Sequence, residues 1–318
     1  MKRFSFILCA FWLSFPLSAQ DITFATGSCA HGGQPERDSI FNALSDEPID
    51  FFLWLGDNIY YRYGDWKNEA TMRAAYDRRQ NQSYALRNFL KNTTQRAIWD
   101  DHDYGPNDSD STFTGRNTAL KVFASIWPET PLNPEKYGDI RWHELRGNTL
   151  FIGMDNRMHR GPVGTHMLGD NQLRYLDSVI QAYPEAPFIF VAIGSQVINE
   201  AQVWENYSRY PERDKLLEIC AKHPGQVIFL TGDRHHSEIN RNPEGLVEFC
   251  VSPLTSKCYP PRDIEIEQNT NLIPETVISI PNYAVIQVFE RKRVVIITYK
   301  DAEGNILLTQ SIRSKLDS

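Results

Sequence analysis

The chain has 318 residues, 41 % of them hydrophobic and 23 % charged, the composition of an ordinary globular protein with room for one large domain or two small ones. Its formal net charge is -7. An acidic surface repels polyanions, so a nucleic-acid partner bound through a basic face finds no support, and any phosphate-bearing ligand has to be held by local cations.

Met1-Lys2-Arg3 precedes an apolar run from Phe4 to Leu17, and Ser18-Ala19-Gln20 follows. A basic start, a short apolar core and small residues at its end predict a signal peptide over residues 1–20, with a mature domain over 21–318. The alternative for this run is a buried N-terminal strand or helix. Cleavage near Gln20 or Asp21 removes Lys2 and Arg3 and takes the charge from -7 to -9. The expected location is therefore exported, periplasmic or secreted, in an oxidising compartment with access to calcium. The leader is too short for a membrane span, and no later stretch is long and apolar enough for one.

Further along, six short apolar runs each end in a dense polar loop. Ile22 to Thr26 leads into Gly27-Ser28-Cys29, and Phe51 to Leu55 into Gly56-Asp57-Asn58-Ile59-Tyr60. Arg96 to Trp99 leads into Asp100-Asp101-His102-Asp103, and Thr149 to Met154 into Asp155-Asn156-Arg157. Phe188 to Ile193 leads into Gly194-Ser195-Gln196, and Val227 to Leu230 into Thr231-Gly232-Asp233-Arg234-His235-His236. Helical patterns lie between them, over 38–44, 69–90, 118–126, 171–182 and 212–223. Alternating apolar strands and helices predict an α/β fold around a buried, parallel or mixed sheet, whose ligands sit beyond the carboxyl ends of the strands. The tail reads as three consecutive strands, 283–289, 294–299 and 306–312, with a turn at 301–305, an antiparallel meander packed on the same domain.

Four cysteines follow the leader, Cys29, Cys220, Cys250 and Cys258, and their spacing fits no zinc or redox motif. Cys250 and Cys258 flank a proline-containing loop and are either a disulfide or two separate thiols. Cys220 belongs to a helix core.

The loop residues carry the chemistry. Asp57 after a strand and a glycine either caps a turn or bridges cations. Asp100, Asp101, His102 and Asp103 either form a solvated acidic loop or are neutralised by a bound cation, since packed anions repel. Asp233 and His235 repeat the Gly-Asp pattern of Gly56-Asp57 at another strand end. Arg157 offers forked donors that match phosphate oxygens, or pairs with Asp155. Cys29 and Tyr60 are either metal ligands or a buried thiol and a core aromatic.

Taken together and in order, these loops resemble the PhoD-like alkaline phosphatase family of the calcineurin-like metallophosphoesterase superfamily, over about Thr23 to His236. The segments 170–176 and 194–197 resemble it too. The resemblance implies a four-layer sandwich, two mixed β-sheets flanked by helices. It implies iron(III) held by Cys29, Asp57 and Tyr60, with Asp57 bridging to a calcium that Asp101 and Asp233 also hold; other divalent metals are alternatives. His235 would be a further ligand or support one, His102 would sit by the leaving group and Arg157 would hold the phosphate. Asp57, His102 and Arg157 are thus the implied catalytic set.

The implied substrate is a small phosphate ester, attacked in line by a hydroxide between the cations, with no covalent phospho-enzyme. A phosphodiesterase of phospholipid or polymer diesters is one alternative. A non-catalytic secreted metal- or phosphate-binding protein is another. Two departures stand out: His236 occupies a place where relatives often carry a small or hydroxyl residue, and the chain has no room for the extra N-terminal β-domain of longer relatives.

Overall fold

A computed structural model describes residues 21–32 and 38–316. The leader expected over residues 1–20, with its cleavage site, lies outside the described residues.

Among the described residues, twelve strands form two six-stranded sheets. The first holds β1 (Ile22–Gly27), β2 (Phe51–Leu55), β3 (Gln95–Ile98) and the C-terminal β10 (Asn282–Phe289), β11 (Val294–Asp301) and β12 (Ile306–Arg313). Its order is β12-β11-β10-β1-β2-β3. The second holds β4 (Trp142–Arg146), β5 (Thr149–Gly153), β6 (Phe188–Ala192), β7 (Gln226–Thr231), β8 (Glu238–Arg241) and β9 (Val247–Cys250), in the order β4-β5-β6-β7-β9-β8. Both sheets are mixed. β1, β2 and β3 run parallel, with β10 antiparallel to β1. β5, β6, β7 and β9 run parallel, with β4 and β8 antiparallel at the two edges.

Side chains on a strand alternate between faces, and here both faces of each parallel strand are covered. Phe24 and Phe51 stack at 5.0 Å, and Phe24 meets Phe151 and Phe190 of the second sheet edge-on, each at 5.2 Å. This aromatic layer joins the sheets face to face. One residue on, Phe52 points outward and meets Phe89 of the helix Tyr84–Asn92. In the second sheet Phe151, Phe190 and Ile228 face inward, while Ile152, Val191 and Phe229 pack with Leu173, Leu176 and Leu216 of the helices Asp170–Ala182 and Glu212–Ala221. The layers are helix, sheet, sheet, helix, the expected α/β sandwich. Each buried Phe contributes on the order of 2–3 kcal/mol through removal of apolar area from water.

One local expectation is corrected, three strands were not anticipated, and one open alternative is decided. The helix expected over 69–90 is two helices, Glu69–Gln82 and Tyr84–Asn92, because Ser83 is extended and its hydroxyl accepts from Leu86 N–H to start the second. Strands β4, β8 and β9 had no apolar signal of their own; β4 reads Trp-His-Glu-Leu-Arg, with only Trp142 fully buried. Cys250 and Cys258 are not joined by a disulfide; the Cys250 thiol donates to the Gly232 and His236 carbonyls instead. Cys220 is buried in its helix, as expected. No helix among the described residues is long and apolar enough to cross a membrane.

Candidate metal centre

The carboxyl ends of the parallel strands lie on one edge of the sandwich, and the loops leaving them interlock. Cys29 N–H donates to Gly56 O at 3.2 Å and Ala30 N–H to Asp57 O at 2.8 Å. Between the sheets, Leu254 N–H donates to Ser28 O at 2.8 Å. Two glycines permit the approach. A Cβ on Gly56, whose φ is +97°, would lie 2.6 Å from Asp100 Cβ, and one on Gly232 would lie 2.6 Å from Ser28 Cβ. Cys29, Asp57, Asp233 and His235 themselves adopt φ values of 58°, 55°, 67° and 56°. Left-handed backbone at non-glycine residues is disfavoured, and it clusters where function holds it in place.

Among the described residues, three overlapping groups of potential ligand atoms result, each with its atoms within 4.8 Å of one another: Cys29, Asp57 and His235; Asp57, Asp101 and His102; Asp100, Asp101 and Asp233. Asp57 belongs to the first two and Asp101 to the last two. Tyr60 joins the first, its hydroxyl donating to Asp57 Oδ2 at 2.9 Å and lying 3.2 Å from His235 Nε2. The sequence-derived ligands Cys29, Asp57, Tyr60, Asp101, Asp233 and His235 therefore meet at one place.

The two histidines separate. His235 Nδ1 lies 2.6 Å from Lys257 O. A carbonyl only accepts, so Nδ1 carries the proton and Nε2 presents a lone pair to the cluster. His236 is buried, with Nδ1 on Tyr259 O at 2.9 Å and Nε2 3.5 Å from Glu238 Oε2. Its place is in the packing behind the site.

The electrostatics call for positive charge. Burial, then the Asp101 and Cys29 charges, push Asp57 well above the usual carboxylate range. Burial, then Asp233, push the Cys29 thiol up to about 12. Burial, then Asp100, bring Asp233 up to about 7. For Asp101, burial is outweighed by Arg157 and His102, which hold it down to about 2. Acids and a thiol packed this closely stay ionised only beside a cation.

Two orphaned atoms test the fit. Asp100 Oδ2 and Asn156 Oδ1 are buried without a hydrogen-bond partner among the described residues. Asn156 Nδ2 donates to Asp100 Oδ1 at 2.8 Å and to Ser195 Oγ at 2.9 Å, which ties this amide to the carboxylate cluster and leaves its carbonyl oxygen unpartnered. Hard oxygens of this kind, with a thiol, a phenol and an imidazole alongside, fit a pair of cations of differing softness.

Arg157, expected at the phosphate, is fully buried. Its Nε bonds Asp100 Oδ1, its Nη2 lies 2.7 Å from Glu205 Oε2 and 3.6 Å from Asp101 Oδ1. It neutralises carboxylates behind the centre. Glu205, which also binds Arg160 at 2.6 Å, had no motif around it to mark it; Asp100 and Asn156 lay inside noted motifs without an assigned role. The open cleft above the centre, about 460 Å³, is lined by His31, Tyr60, His102, His235, Lys257 and Tyr259 among others. His102 lies at its rim, its ring 4.1 Å from that of Tyr60 and its backbone N–H 3.4 Å from Asp57 Oδ1.

This architecture is the metallophosphoesterase fold. The chain is similar to PhoD, at 16 % identity and a TM-score of 0.73, covering 92 % of this chain and 70 % of that one. It is similar to a purple acid phosphatase from yellow lupin seeds, at 12 % identity and a TM-score of 0.68, over 94 % of this chain and 55 % of that one. It is also similar to GAP50, the anchor in the inner membrane complex of Plasmodium, at 12 % identity and a TM-score of 0.61, over 92 % and 89 % of the two chains. No family model matches the chain, and no curated protein matches it in sequence. Likeness at these identities defines the fold; the chemistry is read from the centre itself.

Proposed function

We propose that the protein is an exported metal-dependent phosphoric ester hydrolase of the alkaline phosphatase D type. The observation that carries this reading is the chain of three ligand groups joined through Asp57 and Asp101 at the mouth of an open cleft. Fold likeness to PhoD and to a purple acid phosphatase supports it. Export rests on the leader read from residues 1–20.

In this reading Cys29, Asp57 and Tyr60 would hold iron(III), with His235 beside them. Asp57, Asp101 and Asp233 would hold calcium, with the unpartnered oxygens of Asp100 and Asn156 as candidate further donors. Such a metal pair supplies a nucleophilic water at neutral pH and charge stabilisation at the phosphoryl oxygens. The chain's own groups do the rest. The Tyr60 ring fixes His102 at the cleft rim, where it can protonate a leaving alkoxide. Lys257 and His31 line the cleft and can meet substrate oxygens. Arg157 and Glu205 position Asp100 and Asp101 from behind. No serine nucleophile is called for: Ser195 Oγ accepts from Asn156, and the Ser28 hydroxyl donates to Val251 O at 2.8 Å.

The test is turnover of matched phosphate mono- and diesters by the purified protein, with elemental analysis of the same preparation. The proposal expects phosphate release that tracks bound metal. Metal-loaded protein inert on both ester classes would sink it.

A further inference from the structure

Beside the metal cleft lies a second cavity of about 180 Å³, lined by His31, Tyr60, His102, Arg62, Arg78 and Arg79 among others. It shares His31, Tyr60 and His102 with the cleft, so the two spaces meet at the rim where the leaving group would stand. None of its lining residues among those described is acidic, although the chain holds 40 Asp and Glu against 33 Lys and Arg.

Two of the three arginines are already balanced. Arg78 pairs with Asp65, and Arg79 pairs with Asp38 at 3.2 Å and donates to Ala30 O at 3.0 Å. Arg62 is exposed, and its guanidinium has no partner among the described residues. It projects from the loop just after Tyr60, and its backbone N–H is fixed by Asp65 at 2.7 Å. The cavity wall therefore carries one uncompensated cation next to two held ones. A guanidinium binds carboxylate or phosphate through paired donors.

We propose that this cavity is a substrate subsite for a second anionic group, so that the preferred substrates are phosphate esters whose alcohol portion itself carries a carboxylate or phosphate. The inference rests on the hydrolase reading, because it takes the metal cleft as the seat of the scissile phosphate. The overall charge of the protein makes the placement selective: an anion is repelled by the general surface and attracted here.

The experiment uses compounds that cannot be hydrolysed. Calorimetric affinities are measured on the metal-loaded protein for alkylphosphonates and for ω-carboxyalkylphosphonates of equal length, with two to five methylenes. A charge-assisted pair of this kind is worth roughly a factor of ten in affinity. We expect the carboxylate compound to bind about tenfold more tightly at its best length, and the advantage to shrink with added salt. Arg62→Gln should remove most of that advantage, read as the ratio of the two affinities in each protein. Equal affinities at every length, or an advantage that survives Arg62→Gln, would overturn the subsite. Phosphate release from glycerol 3-phosphate in parallel reports on the hydrolase reading alone, so the two can fail separately.

Discussion

Cys29 is 0 % exposed, with Ser252 Oγ 3.2 Å and Asp57 Oδ2 3.8 Å from its sulfur. Without a cation the site holds the proton on the thiol; a strong Lewis acid would displace it. Cys29→Ala removes one ligand and little apolar surface, so it should unfold within about 1 kcal/mol of the unaltered protein when both are free of metal. It should also lose iron and nearly all turnover, measured on one preparation by elemental analysis and phosphate release. Retained iron with full activity would make Cys29 an ordinary buried thiol. Arg157 gives the opposite kind of prediction. It compensates Asp100 and Glu205 in the interior, and stripping one partner from a buried charge cluster costs about 3–5 kcal/mol. Arg157→Met should therefore lower the urea midpoint strongly even in metal-free protein. A change under about 1 kcal/mol would mean those carboxylates are neutral or solvated.

Among the elements, the strands with continuous apolar runs were legible in the sequence, and so were the loops after them. β2, β5, β6 and β7 are buried at every residue, so a two-sided core wrote itself into the residue types. The C-terminal meander appears nearly where the pattern put it, and β10 pairs antiparallel with β1. The strands without such runs were hidden. β8 and β9 carry Glu238, Asn240 and Glu248 into the interior, where propensity alone would not place them. They are there because they satisfy one another: Glu238 Oε1 accepts from Gln196 and Asn199 at 2.7 Å each and from Asn240 at 2.9 Å. That closure is a property of tertiary contact and has no local sequence signal. The same reason concealed Glu205 and the buried setting of Arg157, since type and spacing marked an arginine after a strand but not which way it faced.

The Glu238 network also sets a pH response. Burial works to raise this carboxyl, but His236, Asn240 and Gln196 hold it down to about 2. A depressed acid contributes stability that is present above its ordinary pKa and lost as pH falls toward the folded value. The window is therefore from roughly pH 4.5 down to about 2, and the contribution is on the order of 3 kcal/mol. Glu238→Gln should be less stable than the unaltered protein at pH 7, and the gap should narrow as pH drops below 4.5. Denaturant midpoints at pH 7 and at about pH 3 decide it; a gap that is constant or widens in acid would contradict the assignment.

On the scale of the whole molecule, the centre lies on the seam between the sheets. Cys29, Asp57 and Asp101 follow β1, β2 and β3 of one sheet, while Asn156 and Asp233 follow β5 and β7 of the other. The aromatic layer of Phe24, Phe51, Phe151 and Phe190 fixes the distance between them. Metal that binds such a site binds only the folded chain, so occupancy should stabilise the molecule by about 2.7 kcal/mol at a hundredfold excess over Kd. In the metal-free protein the same residues are a liability, because Asp57 and Asp101 are buried together. The most direct measurement compares the unaltered protein with Asp57→Asn, each stripped of metal and then reloaded, by thermal unfolding and by turnover of a phosphate ester. Stripping should lower Tm and abolish turnover in the unaltered protein, and reloading should restore both. Stripped Asp57→Asn should be at least as stable as the stripped unaltered protein, yet gain neither stability nor activity from metal. Turnover that survives stripping, or an Asp57→Asn variant that recovers it on reloading, would contradict a two-cation centre bridged by Asp57.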